Sequence, residues 1–370
     1  MIPQIDLRRQ HEALRSELLD AAARVLAGSR FILGPEVQAL EAEVAQCCGA
    51  THGVGVNSGT DALLLALKAV GVGPGDEVIT SPFSFVASAT TIVFAGATPV
   101  YVDVDPETLN MDPDRLPAAI TPRTRAIVPV HLYGHPAPMD RIVAIARSRG
   151  IAVVADAAQA VGAQYDGQGI AGWGDASCLS FYPTKNLGAC GDGGMVLTTR
   201  ADVAERVRLL RDHGARRRYV HEELAGSSRL DELQAAFLRV KLKRLSEWTE
   251  ARRRLAERYG KLLVDLPLRL PIERPPAWHV YHQYTVRARE RDALARALAD
   301  LGVGTTVHYP TILPAQPLFA HGPAAPAATA FPHAALAANE VLSLPCYPEL
   351  TDAEVEGVVV ALRQCLAHAH

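Results

Sequence analysis

The chain has 370 residues, 49% of them hydrophobic and 21% charged, which predicts one large domain with a smaller one beside it. A formal net charge of −3 argues against a nucleic-acid footprint and against a polybasic membrane anchor. No apolar run reaches membrane-spanning length, and the first residues lack a basic region followed by an apolar stretch.

Apolar residues recur at helical spacing through 9–29 and 35–48, with a break at Gly34-Pro35. The next helix opens near Ser58 or Thr60 and runs to Lys68, where glycines and a proline between Gly71 and Gly75 stop it. Short apolar strands then alternate with helices. Strands are expected at 77–80, 98–102, 126–130 and 152–155, with helices over 86–95 and 139–148. Further strands at 177–181 and 194–198 complete a mainly parallel α/β sheet with one antiparallel edge. Arginine-rich helices cover 201–213 and 231–264, the second a long one. A proline-rich crossing over 267–276 leads to a smaller α+β unit with a strand at 281–286, a helix at 290–301 and a further segment from Ser343; 320–330 reads as a loop. Cysteines at 47, 48, 178, 190, 346 and 365 form no CxxC pair, so a reducing, cytoplasmic setting is expected.

Three constellations carry chemistry. Lys185 sits in Ser180-Phe-Tyr-Pro-Thr-Lys185-Asn-Leu-Gly188, just after an apolar strand and just before the glycine-rich stretch 190–194. An amine in a desolvated turn is the kind that forms a Schiff base and shuttles a proton. Asp156 ends the strand 153–155, where a carboxylate needs a partner: either a helix terminus to cap or a cationic ring nitrogen. Gln159 lies three residues on, within reach of the same ring. Gly59 and Thr60 open a helix whose free N–H groups suit a phosphate, with Ser180 as a further donor and Phe85 as an aromatic able to stack. An amine, a carboxylate and an anion site are the parts that hold pyridoxal 5′-phosphate. Neither 53–55 nor 188–193 gives the GxGxxG fingerprint, and the histidines show no metal spacing; His131, His213, His221 and His308 are polar-site candidates.

The stretches 34–36, 57–62, 73–78, 156–159, 180–185, 191–194 and 228–236, taken in order, resemble the fold-type-I pyridoxal-phosphate enzymes of the DegT/DnrJ/EryC1/StrS sugar aminotransferase family over essentially the whole chain. The resemblance implies an aspartate-aminotransferase-like α/β fold. Residues 1–250 would form the large cofactor domain, with N-terminal helices and interface elements, and 251–370 the small α+β domain. Lys185 would bind the cofactor covalently, Asp156 would meet its pyridine nitrogen, Gln159 its ring oxygen, and Phe85 its face. Gly59, Thr60 and Ser180 would hold its phosphate. Family members form homodimers with shared sites, and usually carry Asn where this chain has Ser227, reaching the partner's cofactor phosphate; here the shorter serine's hydroxyl, or a water, would have to substitute. Related sugar 3-dehydratases carry histidine in place of the lysine, so Lys185 favours transamination.

The segment 213–221 and His308-Tyr309-Pro310 resemble members that aminate C3 of a nucleotide-linked 3-keto sugar, of the UDP-2-acetamido-3-keto-glucuronate or dTDP-3-keto-6-deoxyhexose type. Arg217, Tyr219, His221, His308 and Tyr309 would then bind sugar or diphosphate, with L-glutamate as amino donor. Two other readings stay open: amination at C4, and a cofactor-binding regulatory protein without catalysis.

Overall fold

Alternate residues of the central strands serve two different cores, which is why those strands are apolar throughout. In the computed structural model, which describes residues 1–319 and 328–367, seven strands form the main sheet. They are β1 (His52–Val56), β2 (Glu77–Thr80), β3 (Thr98–Tyr101), β4 (Thr124–Val128), β5 (Ala152–Asp156), β6 (Ala176–Ser180) and β7 (Gly194–Thr198). Their spatial order is β1-β7-β6-β5-β4-β2-β3. Val78, Val128 and Val154 point to one face of the sheet, while Ile79, Ile127 and Val153 point to the other. On the first face lie α4 (Gly59–Ala69) and α5 (Ala87–Phe94), with α7 (Ala201–Arg211). On the second lie α3 (Pro35–Cys48) and α6 (Met139–Arg147). Two covered faces and parallel crossovers give the expected doubly covered α/β layer.

The antiparallel strand is not an edge strand, as the sequence suggested. β7 runs antiparallel to both neighbours and lies inside the sheet, with β1 outside it as the true edge. β1 itself was missed, because Gly53 and Gly55 weaken a strand signal. Their reason is packing: a side chain at Gly53 would stand 2.4 Å from the Glu41 carbonyl of α3.

Helices α1 (Leu7–Ala13) and α2 (Arg15–Gly28) divide the expected N-terminal helix at Leu14. The long helix expected over 231–264 also divides, into α8 (Glu232–Leu242) and α9 (Leu245–Leu263). No proline or glycine marks that second break. The Arg244 N–H turns to the Lys241 carbonyl at 2.9 Å, so α8 stays on the large unit while α9 leaves for the small one. A two-stranded antiparallel sheet, Tyr284–Arg287 with Val341–Leu344, packs there with helices Arg291–Asp300 and Asp352–Ala367 around Tyr259, Leu298, Val355 and Leu362. Leu245 and Trp248 of α9 pack with the large unit; Leu255, Tyr259 and Leu263 pack with the small one. The packing of α9 thus changes between Trp248 and Leu255, and Ile2 and Ile5 pack against the second cluster. Most of the loop expected at 320–330 lies outside the described residues.

Candidate active site

The carboxyl ends of β1, β5 and β6 open on one edge of the sheet, where the antiparallel β7 begins. Val56, Gly194 and Ser180 stand side by side across three strands, and Asp156 pairs with Cys178 one strand further on. Ligands of open α/β sheets bind at this kind of edge.

Lys185 is carried on a tight loop after β6. Its N–H donates to the Tyr182 carbonyl at 2.8 Å, and the Ala189 N–H returns to Phe181 at 2.7 Å. Gly188 permits the fold, since a Cβ there would meet the Pro183 carbonyl at 2.2 Å. Burial of the amine pushes its pKa down to about 8, against an opposing pull from Asp156. Asp156 is 6% exposed. Ser88 Oγ donates to its Oδ2 at 2.7 Å and the Ala158 N–H to its Oδ1 at 3.2 Å. Burial raises the carboxyl's pKa; those two donors and Lys185 act to lower it.

The Gln159 amide is held in one orientation. Its Oε1 accepts from the Tyr133 N–H at 2.5 Å, so its Nε2 faces Tyr309, whose hydroxyl it reaches at 3.1 Å. Tyr133 adopts a left-handed backbone (φ 58°) to aim that N–H, and its hydroxyl donates to the His308 carbonyl. His308 Nδ1 lies 2.9 Å from Ser343 Oγ, and burial, then Lys185, pushes its pKa down to about 4. Burial and the nearby Asp156 raise the Tyr309 phenol.

On the other side, Ser58 caps α4 by accepting from the Asp61 N–H at 3.0 Å. The first N–H groups of a helix have no partner within it, and those of Gly59 and Thr60 begin α4 beside Ser180. A Cβ on Gly59 would lie 2.7 Å from that of Ser180, and one on Gly194 only 2.3 Å from the Ser58 carbonyl. The cradle therefore demands glycine at both positions. Phe85 is 53% exposed, its ring 6.1 Å from that of Tyr309.

Lys185, Asp156, Gln159, His308 and Tyr309 thus share one electrostatic and hydrogen-bonded neighbourhood. The remaining candidates stand apart. Arg217, Tyr219 and His221 lie on an exposed hairpin, Ala215–Arg217 with Val220–His221, and Tyr219 is 79% exposed. His221 Nδ1 contacts the His213 carbonyl at 2.9 Å, and Ser227 is exposed beside Asp212. Among the described residues, no contact joins these four to Lys185 or Asp156. His131 is buried and accepts from the Ala137 N–H at 3.0 Å, an internal role.

Sequence reasoning missed Ser88, Tyr133, Asn186 and His282, all ordinary residue types whose roles come only from what they touch. Among the described residues there is no cluster fit to hold a metal ion, and no helix is long and apolar enough to cross a membrane.

Known proteins resemble the chain over nearly its whole length. A family model described as the DegT/DnrJ/EryC1/StrS aminotransferase family matches residues 12–363. UDP-N-acetyl-3-dehydro-alpha-D-glucosamine 3-aminotransferase of Acidithiobacillus ferrooxidans is 47% identical over 366 residues, covering 99% of this chain and 98% of that protein. A pleiotropic regulatory protein of Geobacillus stearothermophilus is 47% identical over 370 residues, covering 99% of each. The crystal structure of S. venezuelae DesV in complex with a ketimine intermediate superposes with a TM-score of 0.96 at 45% identity, covering 98% of both chains.

Proposed function

This chain belongs to the DegT/DnrJ/EryC1/StrS aminotransferase family, and from that premise we propose that it transfers the amino group of L-glutamate to C3 of a nucleotide-linked 3-keto sugar. The protein is an aminotransferase that uses pyridoxal 5′-phosphate. Its residues fit that cofactor: a buried amine with a lowered pKa, a buried carboxylate supplied with donors, and a helix terminus that excludes side chains. The single observation that carries the reading is Lys185, placed within electrostatic reach of Asp156.

When bound, the cofactor supplies an electron sink for the carbanion at the substrate carbon. In our reading Lys185 holds the cofactor covalently between turnovers, then carries the proton from the glutamate α-carbon as a positioned base. Asp156, whose ionised form the Ser88 hydroxyl and the Ala158 N–H favour, would meet the ring nitrogen and favour its protonated form. Gln159 can offer only N–H to the cleft, because Tyr133 already holds its oxygen; that suits an anionic ring oxygen. Gly59, Thr60 and Ser180 would hold the phosphate, and Phe85 would serve the ring. His308 and Tyr309 line the path of the keto sugar.

Arg217, Tyr219, His221 and Ser227 would serve a second subunit's cleft in a homodimer. The exposure of the hairpin and of Ser227, near Val220 at 51% and Leu224 at 96% exposed, supports that assignment. We place the enzyme in the cytoplasm, in keeping with its free cysteines.

The test is incubation of purified protein and cofactor with L-glutamate and a panel of UDP- and dTDP-linked 3-keto and 4-keto sugars, with product NMR. A 3-amino sugar is expected; amination at C4 overturns the assigned position. The relative named as a regulatory protein favours a second reading, binding without catalysis. Failure of L-glutamate to bleach the cofactor's visible band would support it.

A further inference from the structure

Asn186, next to Lys185, is 5% exposed and makes two contacts with the segment 280–282, whose Val280 packs in the large unit's core and whose Tyr281 packs against the small one's. Its Nδ2 donates to the Val280 carbonyl at 3.1 Å, and its Oδ1 lies 3.1 Å from His282 Nδ1. His282 Nε2 in turn lies 3.5 Å from Gln283 Nε2, and Gln283 Oε1 accepts from Gln4 Nε2 at 2.8 Å. The Val280 carbonyl sets the direction of donation at one end of this chain. A carbonyl only accepts, so Asn186 must turn its NH₂ to Val280 and its oxygen to His282. His282 Nδ1 therefore carries a proton. Its Nε2 faces the Gln283 NH₂, the arrangement of a bare acceptor. Donation runs one way, from Gln4 through Gln283 and His282 to Asn186 and Val280. A doubly protonated ring would set N–H against N–H unless both glutamines turned over.

Resting on the functional reading above, we propose that His282, fixed as the neutral Nδ1–H tautomer, is the positioning residue for Lys185. The ring ties the loop that carries the lysine to the segment 280–283, and being neutral it adds no second cation beside the amine. Four groups act on it: Lys185 from the loop after β6, Arg252 from α9, His308 from 306–310 and His279 from its own segment. Burial and these neighbours all push its pKa well below the ordinary histidine value, in the direction the hydrogen bonds require. Arg252 also donates to the His282 carbonyl at 3.4 Å, which anchors the segment.

The tautomer can be read directly from two-bond ¹⁵N–¹H spectra of ¹⁵N-histidine-labelled holoenzyme between about pH 6 and 9, with His282→Asn identifying the signal. A protonated Nδ1 and a bare Nε2 across that window are expected. An Nε2–H tautomer, or double protonation within the window, overturns the proposal. His282→Leu should lower kcat about tenfold or more, leave the KM for L-glutamate nearly unchanged, and move the pH midpoint of the visible band of the Lys185-bound cofactor. His282→Asn keeps a donor at the Nδ1 position and should recover most of the loss. A leucine variant that matches wild type in kcat and band, or an asparagine variant equally impaired, counts against the role. Should the leucine variant not fold, Gln283→Leu removes the N–H facing Nε2 together with the acceptor for Gln4, and His282 should then titrate at least about one pH unit higher; an unchanged titration refutes the relay. Wild type that aminates no keto sugar would defeat the functional reading instead, because the spectra need no substrate.

Discussion

Lys185 and Asp156 are displaced in opposite directions by one cause, the loss of water. Burial disfavours the charged form of each, lowering the amine and raising the acid, and each partly restrains the other. The neutral amine is the nucleophile, so its fraction grows as pH rises through about 8. Apoenzyme should therefore capture pyridoxal phosphate faster by about tenfold per pH unit below that value and level off above it, as stopped-flow absorbance would show. Lys185→Ala should abolish both turnover and the covalent visible band. Ser88 acts on the acid: its hydroxyl favours the ionised carboxylate, and such a bond contributes about 1.5–3 kcal/mol. Ser88→Ala should raise the Asp156 pKa, so the acidic limb of the kcat/KM profile moves to higher pH. The lysine and aspartate were readable in the sequence because their chemistry allows few substitutes. Ser88 and Tyr133 were not, since a serine or tyrosine acquires such a role only from its neighbour in space.

At the scale of elements, the site depends on how closely α4 approaches β6 and β7. Gly59→Ala places a methyl 2.7 Å from the Ser180 Cβ, which is fixed to backbone and cannot swing aside. Cofactor affinity should fall about tenfold or more by fluorescence titration, and overpacking should cost about 1–3 kcal/mol in a denaturant melt. A second junction is knit by charge. Glu41 of α3 accepts from the Gly55 N–H of β1 at 2.8 Å and from the buried Arg211 of α7. Glu41→Ala should destabilise the fold by about 3–5 kcal/mol, because it strands the arginine; an unchanged thermal midpoint would refute that. The start of α4 was legible from its capping serine. β1 was not, because its glycines answer a packing demand made by a distant helix, and the break at 243–244 carries no turn residue at all.

For the molecule as a whole, the proposed homodimer makes a distinct prediction. If Lys185 acts in one subunit's cleft and Arg217 in its partner's, Lys185→Ala and Arg217→Ala subunits should complement. Random reassociation leaves one intact site in each mixed dimer, so activity should return to about a quarter of wild type, measured after mixing and refolding. No recovery would place the hairpin in its own subunit's site or outside catalysis.

By itself the sequence determined the α/β layer, the order along the chain of most of its strands and helices, and the residues proposed to serve pyridoxal phosphate. Those features follow from local periodicity, helix capping and reactive residue types, all written in neighbouring positions. Only the tertiary structure decided where the antiparallel strand lies, which way the Gln159 amide faces, and that a chain of donors from Gln4 reaches the residue beside Lys185. Each of these rests on contacts between segments far apart in sequence, whose hydrogen-bond directions exist only once the chain has closed on itself.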